Sequence, residues 1–284
     1  MSSRFLDLYF ERIRFEGSPR ADLETLRELH LLHLQHIPYE NVDVFCQQGV
    51  KLDPEALTQK MLLRRRGGYC FEQNGLFLMA LTEIGFKCRP NLARVHRNRP
   101  QPGGRTHHIN LVALDGRTWV CDVGFGGSAF RHPVPLEAGV EIEQMGERFR
   151  LHEDREHGFY LLKQIGSEWQ PQYTFKIDTA LPIDMAMANF YTSKSADHVF
   201  LNAIVGTRMT ERGRVTLSDH TFKVFDLTRG RMKRETVTDF DAYVGKLEEH
   251  LGVYLNDTET RLFRQRFATL KPPEIQPAIE ETNL

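Results

Sequence analysis

Arg66-Gly67-Gly68-Tyr69-Cys70-Phe71-Glu72-Gln73-Asn74 places a single cysteine directly behind a glycine pair, at the start of a long apolar run. Two adjacent glycines permit a close backbone approach and dihedrals that a Cβ disfavours. From Phe71 to Ile84 the apolar residues Phe77, Leu78, Leu81 and Ile84 recur at helical spacing, and Gly85 stands where a helix stops. The run is therefore predicted to be a buried helix with Cys70 in its first turn. Unpaired N–H groups and the positive end of the helix dipole favour an anion there. A thiolate is such an anion, and thiolate character governs cysteine reactivity. A small buried hydrophobe at the head of a core helix is the competing reading of Cys70 taken alone.

Two β-rich runs downstream decide between these readings. Arg105-Thr106-His107-His108-Ile109-Asn110-Leu111-Val112-Ala113-Leu114 and Arg117-Thr118-Trp119-Val120-Cys121-Asp122-Val123 flank Asp115-Gly116. Asp-Gly between two such runs signals a hairpin closed by a type I′ turn. A two-residue loop pairs Leu114 with Arg117, and the same register sets Ile109 opposite Asp122 and His107 opposite Gly124. His107 and Ile109 share a face, because strand side chains alternate, so His107 is a diagonal neighbour of Asp122. His108 falls on the opposite face. A bulge would shift the parity and exchange the two histidines.

Cysteine at a helix N-terminus, with histidine and aspartate on one hairpin face, is a nucleophilic triad. The thiolate attacks a carbonyl, the imidazole carries the proton, and the aspartate holds the ring's tautomer and stabilises its cation. An acyl-transferring cysteine enzyme follows, with the acyl group unspecified. A cysteine amidase, peptidase or transglutaminase-like enzyme would use the same triad. A third reading is a catalytically silent scaffold that binds partners.

These segments resemble the arylamine N-acetyltransferases. The likeness is carried by the 66–74 motif, by Arg105-Thr106-His107 and by Asp122-Val123-Gly124-Phe125-Gly126-Gly127. Ile37-Pro38-Tyr39-Glu40-Asn41-Val42-Asp43-Val44 upstream and Met187-Ala188-Asn189-Phe190-Tyr191-Thr192-Ser193 downstream extend it. In order, it runs from about residue 5 to about residue 270. It departs from the family at His108 and Asn110, where more apolar residues are expected. The resemblance independently selects Cys70, His107 and Asp122 as the triad. It implies that Gly126 and Phe200 approach coenzyme A, that Phe125 and Val95 line the acceptor pocket, and that Arg66 is structural and pairs with Glu40. The implied activity is ping-pong acetyl transfer from acetyl-CoA, through a cysteine thioester, to small aromatic amines and hydrazines. The implied fold is α+β: an N-terminal helical bundle, a central β-barrel and a C-terminal α/β lid around a papain- or transglutaminase-like core.

Composition fits a soluble enzyme of this size. With 284 residues the chain can bury a substantial core, and its formal net charge of −1 disfavours nucleic acid as the main partner. Arg64-Arg65-Arg66 is the longest unbroken basic run, its first two members expected at a solvated helix end. No run reaches the ~18–20 apolar residues of a membrane span. Acids and arginines within the first fifteen residues argue against a signal peptide. Cys46, Cys70, Cys88 and Cys121 follow no metal or disulfide spacing, which suits free thiols, no metal and a cytoplasmic location. The sequence sets no oligomeric state.

Pattern changes along the chain suggest four units. Residues 1–87 are a helical bundle carrying the nucleophile, with Asp22 or Thr25 as a helix start. Residues 88–181 are a β-barrel carrying the histidine and aspartate, 182–202 a connecting helix, and 203–284 an α/β lid with strands at Ala203–Met209, Arg214–Leu217 and Phe222–Leu227. Two helical stretches follow, Phe240–Leu251 and Glu259–Leu270. Pro272, Pro273 and Pro277 predict an extended or disordered tail. Gly124-Phe125-Gly126-Gly127-Ser128-Ala129 imitates a dinucleotide fingerprint, yet Pro133 and Pro135 leave no room for the helix it must open. His30, His33 and His36 share a helical face without a carboxylate or cysteine to complete a metal set, so a surface amphipathic helix is expected.

Overall fold

The computed structural model describes residues 3–96, 103–273 and 279–283. Its first layer is helical. Helices Arg4–Ile13 and Leu23–His36 pack through Tyr9, Leu26 and Leu29 against the Cys70–Ile84 helix, whose Phe77 and Leu81 are fully buried. Asp22 caps the second helix by accepting from the Thr25 N–H at 2.9 Å. Gly85 ends the Cys70–Ile84 helix in the left-handed conformation, which a missing Cβ makes inexpensive.

An eight-stranded antiparallel sheet follows, in the spatial order Val134–Pro135, Arg117–Cys121, Arg105–Leu114, Lys87–Val95, Glu168–Phe175, Gly158–Ile165, Glu147–Asp154, Glu141–Gln144. A bridge between Ala138 and Leu151 draws its two ends together, so the sheet is nearly closed into a barrel. Phe149, Leu151, Phe159, Leu161, Tyr173 and Phe175 fill the interior at alternate positions. Residue Leu114 pairs with Arg117 and the register holds through Asn110 and Cys121. Asp115 and Gly116 both have positive φ, 50° and 74°, as a type I′ turn requires. The one irregularity between the Arg105–Leu114 and Lys87–Val95 strands falls at Thr106, so the parity from His107 to the turn is intact.

The Pro182–Lys194 helix leads from the barrel to a six-stranded antiparallel sheet covered by Phe240–Lys246, its continuation Leu247–Leu251, and Asp257–Phe267. Phe222, Tyr243, Phe263 and Phe267 form its core. Two features depart from expectation here, and the tail is extended, as its prolines suggest. Tyr39–Glu40, in the helical N-terminal part, is the first strand of this sheet and pairs with Thr207 and Gly206. Arg231–Thr236 is a strand despite its charge, because Thr221–Asp226 on one side supplies a full antiparallel ladder. The tail returns as Ile279–Asn283 to pair with it; Pro277 lies outside the described residues.

The Leu23–His36 helix is not the surface helix expected from its sequence. His30 and His33 are fully buried rather than on a surface face. His30 stacks on Phe130, and His33 bonds the Tyr9 hydroxyl at 2.9 Å and the Gln73 amide oxygen at 2.7 Å. Burial lowers them to about 4 and about 3, which keeps both rings neutral. Among the described residues, no helix is long and apolar enough to cross a membrane.

Candidate active site

Cys70 is the first residue of its helix and is 4% exposed. The turn that delivers it is compact. A Cβ on Gly67 would fall 2.1 Å from the Pro38 carbonyl oxygen, and neither Gly67 nor Gly68 has positive φ. Close approach, and not an unusual dihedral, is therefore what this glycine pair provides. Glu72 closes the helix start by accepting from the Tyr69 N–H at 3.0 Å. Lys60 bridges Glu72 and Asp43, each at 2.7 Å. Burial raises the Glu72 carboxyl and Lys60 only partly restrains it, leaving it at about 7.

Arg66, 1% exposed, anchors the same turn from behind. Its guanidinium reaches Glu40 at 2.8 Å, Asp43 at 3.1 Å and Glu259 at 2.6 Å. It thus ties the loop before Cys70 to the C-terminal Asp257–Phe267 helix. Arg64 also pairs with Glu259, whereas Arg65 stays half exposed. Removing one member of such a buried ionic cluster strands its partners and costs about 3–5 kcal/mol.

The hairpin brings the other two groups to Cys70. His107 Nε2 donates to Asp122 Oδ2 at 2.7 Å, with the pair 3% and 0% exposed. Its other ring nitrogen, Nδ1, is left for the Cys70 side chain, which hydrogen-bonds the ring. Burial opposes the imidazolium, but the Asp122 carboxylate and Cys70 outweigh it and raise His107 to about 10. Burial likewise opposes the Asp122 anion, and His107, Asn74 and the Gly124 N–H outweigh it, holding the carboxyl below its usual range. His108, on the opposite strand face, bonds Asn110 Oδ1 at 3.0 Å, and burial lowers it to about 4.

Three residues without a role in the sequence reading hold this geometry. Asn74, one turn after Cys70, donates to the His108 carbonyl at 2.7 Å and to Asp122 Oδ1 at 2.9 Å, and accepts from the Val123 N–H at 3.0 Å. Its i+4 spacing from Cys70 was the available signal. His30 Nε2 accepts from the Asp122 N–H at 3.2 Å while Nδ1 donates to the Arg131 carbonyl at 2.9 Å. Tyr173 lies 5.2 Å from the His107 ring, centroid to centroid. Nothing local to residues 30 or 173 announces these contacts.

The remaining candidates lie at varying removes. Phe125 packs 4.9 Å from the His107 ring. Val95 pairs with Tyr173 on the neighbouring strand. Gly124 must be glycine, since a Cβ would sit 2.8 Å from Cys70 Cα and 2.6 Å from Asn74 Nδ2. Gly126 begins a single 3-10 turn, Gly126–Ser128, and no α-helix follows, as the rejected dinucleotide reading requires. A cavity of about 620 Å³ beside this turn is lined by Gly127, Ser128, Arg214 and Thr216. Phe200 is not in that cavity; it packs edge-on against Tyr69 at 6.2 Å. Among the described residues, no cluster of three His, Cys, Asp or Glu is placed to hold a metal ion.

A profile of the N-acetyltransferase family matches residues 22–260. The arylamine N-acetyltransferase / N-hydroxyarylamine O-acetyltransferase of Salmonella typhimurium is 34% identical over 267 residues, covering 90% of this chain and 91% of its own. The solved arylamine N-acetyltransferase structure from Salmonella typhimurium superposes with a TM-score of 0.89 at 31% identity, over 94% of this chain and 99% of that one. That of Mycobacterium marinum, solved in complex with CoA, superposes with a TM-score of 0.86 at 28% identity, over 94% and 100%.

Proposed function

The chain belongs to the arylamine N-acetyltransferase family, and on that premise we propose that Cys70, His107 and Asp122 move an acetyl group from acetyl-CoA to an aromatic amine or hydrazine. The observation that carries the assignment is the His107–Asp122 bond of 2.7 Å beside a cysteine at a helix N-terminus.

Each half-reaction balances within this pair. The Cys70 thiolate attacks the acetyl thioester, and the departing coenzyme A thiolate takes the His107 proton. The aromatic amine, neutral at pH 7, then attacks the new thioester. Neutral His107 receives the proton that nitrogen loses as Cys70 leaves, which restores the thiolate–imidazolium pair. Asp122 keeps Nδ1 directed at sulfur and stabilises the cation throughout. First-turn N–H groups, lacking intrahelical partners, suit the oxyanion.

The likeness to a relative solved with CoA supports coenzyme A approaching Gly126, and Phe125 against the His107 ring supports an aromatic acceptor there, with Val95 on the strand beside Tyr173. Phe200 would reach coenzyme A from the Tyr69 side. Four free cysteines support a cytoplasmic setting. Mixing the protein with acetyl-CoA should release free thiol continuously only when aniline is present. Absence of amine-dependent release, or hydrolysis of peptide amides without coenzyme A, would overturn this reading in favour of a cysteine amidase.

A further inference from the structure

Two periodicities place a second cavity on the far side of the catalytic residues. On the Cys70–Ile84 helix, Cys70, Asn74, Phe77 and Leu81 form one face, directed at the hairpin and core. Phe71, Gly75 and Leu78 lie about 100° around it and line a separate cavity of about 710 Å³. On the Arg105–Leu114 strand, His107 faces Asp122, whereas His108, on the opposite face, lines this same cavity. The outer wall is the Pro182–Lys194 helix, through Met185, Ala186 and Phe190. The size lies within the range that holds a small organic ligand.

The chemistry of the lining selects the ligand. Its walls are apolar, and Phe190 leaves 70% of its surface uncovered at the rim. Asn189 is already committed, donating to the Val50 carbonyl at 3.0 Å and accepting from the Tyr69 hydroxyl. Ser193 donates to the Asn189 carbonyl at 2.7 Å. The two charged groups of the lining are both ammonium ions, Lys51 and Lys194, and no aspartate or glutamate accompanies them. Lys194 is steadied over the rim by the Gln47 carbonyl at 3.4 Å, and neither lysine has an acidic partner among the described residues. An apolar slot with Phe190 at its rim and two cations in its lining fits an aromatic body carrying an anion.

We propose that this cavity, between the Cys70–Ile84 and Pro182–Lys194 helices, is a second ligand site that takes a small aromatic carboxylate. Its ring lies among Leu52, Leu78 and Phe190, and its carboxylate meets Lys51 and Lys194. The site is separate from the one that performs acetyl transfer and does not depend on it.

Titration calorimetry with 2-naphthoate tests the assignment on the whole protein. One site is expected, undisturbed by saturating coenzyme A, and 2-naphthamide should bind about tenfold more weakly because it lacks the charge. Ala186→Trp, which places an indole in the cavity, should abolish 2-naphthoate binding. Lys194→Glu should weaken it by about tenfold or more. Both variants alter exposed positions and should retain amine-dependent thiol release, which verifies their folding. No detectable binding at about 1 mM, equal affinity for the amide, displacement by coenzyme A, or undiminished binding in Ala186→Trp would each overturn the proposal.

Discussion

On one face of the Arg105–Leu114 strand His107 meets the Asp122 carboxylate at 2.7 Å; on the other, His108 meets neutral partners, the Asn110 amide oxygen at 3.0 Å and the Phe71 backbone. Both rings are almost wholly buried, at 3% and 4% exposure. Burial alone would neutralise both, and it does so for His108, lowered to about 4, while His107 is raised to about 10. The partner, not the depth, therefore decides which histidine can carry a proton beside Cys70. The strand's alternation assigns the partner, and the type I′ turn at Asp115-Gly116 fixes that alternation.

The largest break in this comparison would come at Cys70. Cys70→Ser should keep the circular dichroism of the parent and lose about 10⁴-fold or more in turnover, since a hydroxyl is a far weaker nucleophile here. Next come the two histidines. His107→Ala should cost about 10³-fold or more, and His108→Ala no more than about tenfold. A reversed pattern, read from the rate of amine-dependent thiol release, would exchange the two faces.

Asp122→Asn sharpens the comparison through pH. The folded His107 sits above its unfolded value of 6.5, so its contribution to stability is fully present below 6.5 and is lost as pH rises through about 10. Asp122 is depressed below 3.8, so its contribution is present above that value and is lost as pH falls through the depressed one. Denaturant melts should therefore show the parent more stable than Asp122→Asn from roughly pH 4 to 10, with the gap closing at either end. A gap independent of pH would remove the ion pair from the account. The smallest effect belongs to His30→Leu, which strips the acceptor from the Asp122 N–H. It should cost about 1–3 kcal/mol of stability, with a loss of turnover well below that of His107→Ala.

The parts of this arrangement that were legible in the sequence are those specified by near neighbours. The Cys70–Ile84 helix has its apolar spacing and its Gly85 stop within fifteen residues, and the hairpin carries its register in a two-residue turn. From these, Cys70, His107 and Asp122 converge without further information. What stayed hidden depends on distant partners. His30 looked like a surface residue because its two acceptor and donor contacts come from Asp122 and Arg131, more than ninety positions away. The strand Arg231-Met232-Lys233-Arg234-Glu235-Thr236 lacks apolar alternation, and its backbone pairing, not its side chains, makes it a strand. Gly67 and Gly68 were visible as a motif, but only the Pro38 carbonyl beside Gly67 reveals that contact distance sets the requirement.

Peptide mapping by mass spectrometry after incubation with acetyl-CoA alone tests the central claim most directly. The protein should gain a single acetyl group on the Cys70 peptide, cleavable by hydroxylamine as a thioester, and His107→Ala should fail to gain it. Acetyl on Cys46, Cys88 or Cys121, or a protein left unmodified while amine-dependent thiol release proceeds, would contradict the assignment of Cys70 as the residue through which the acetyl group passes.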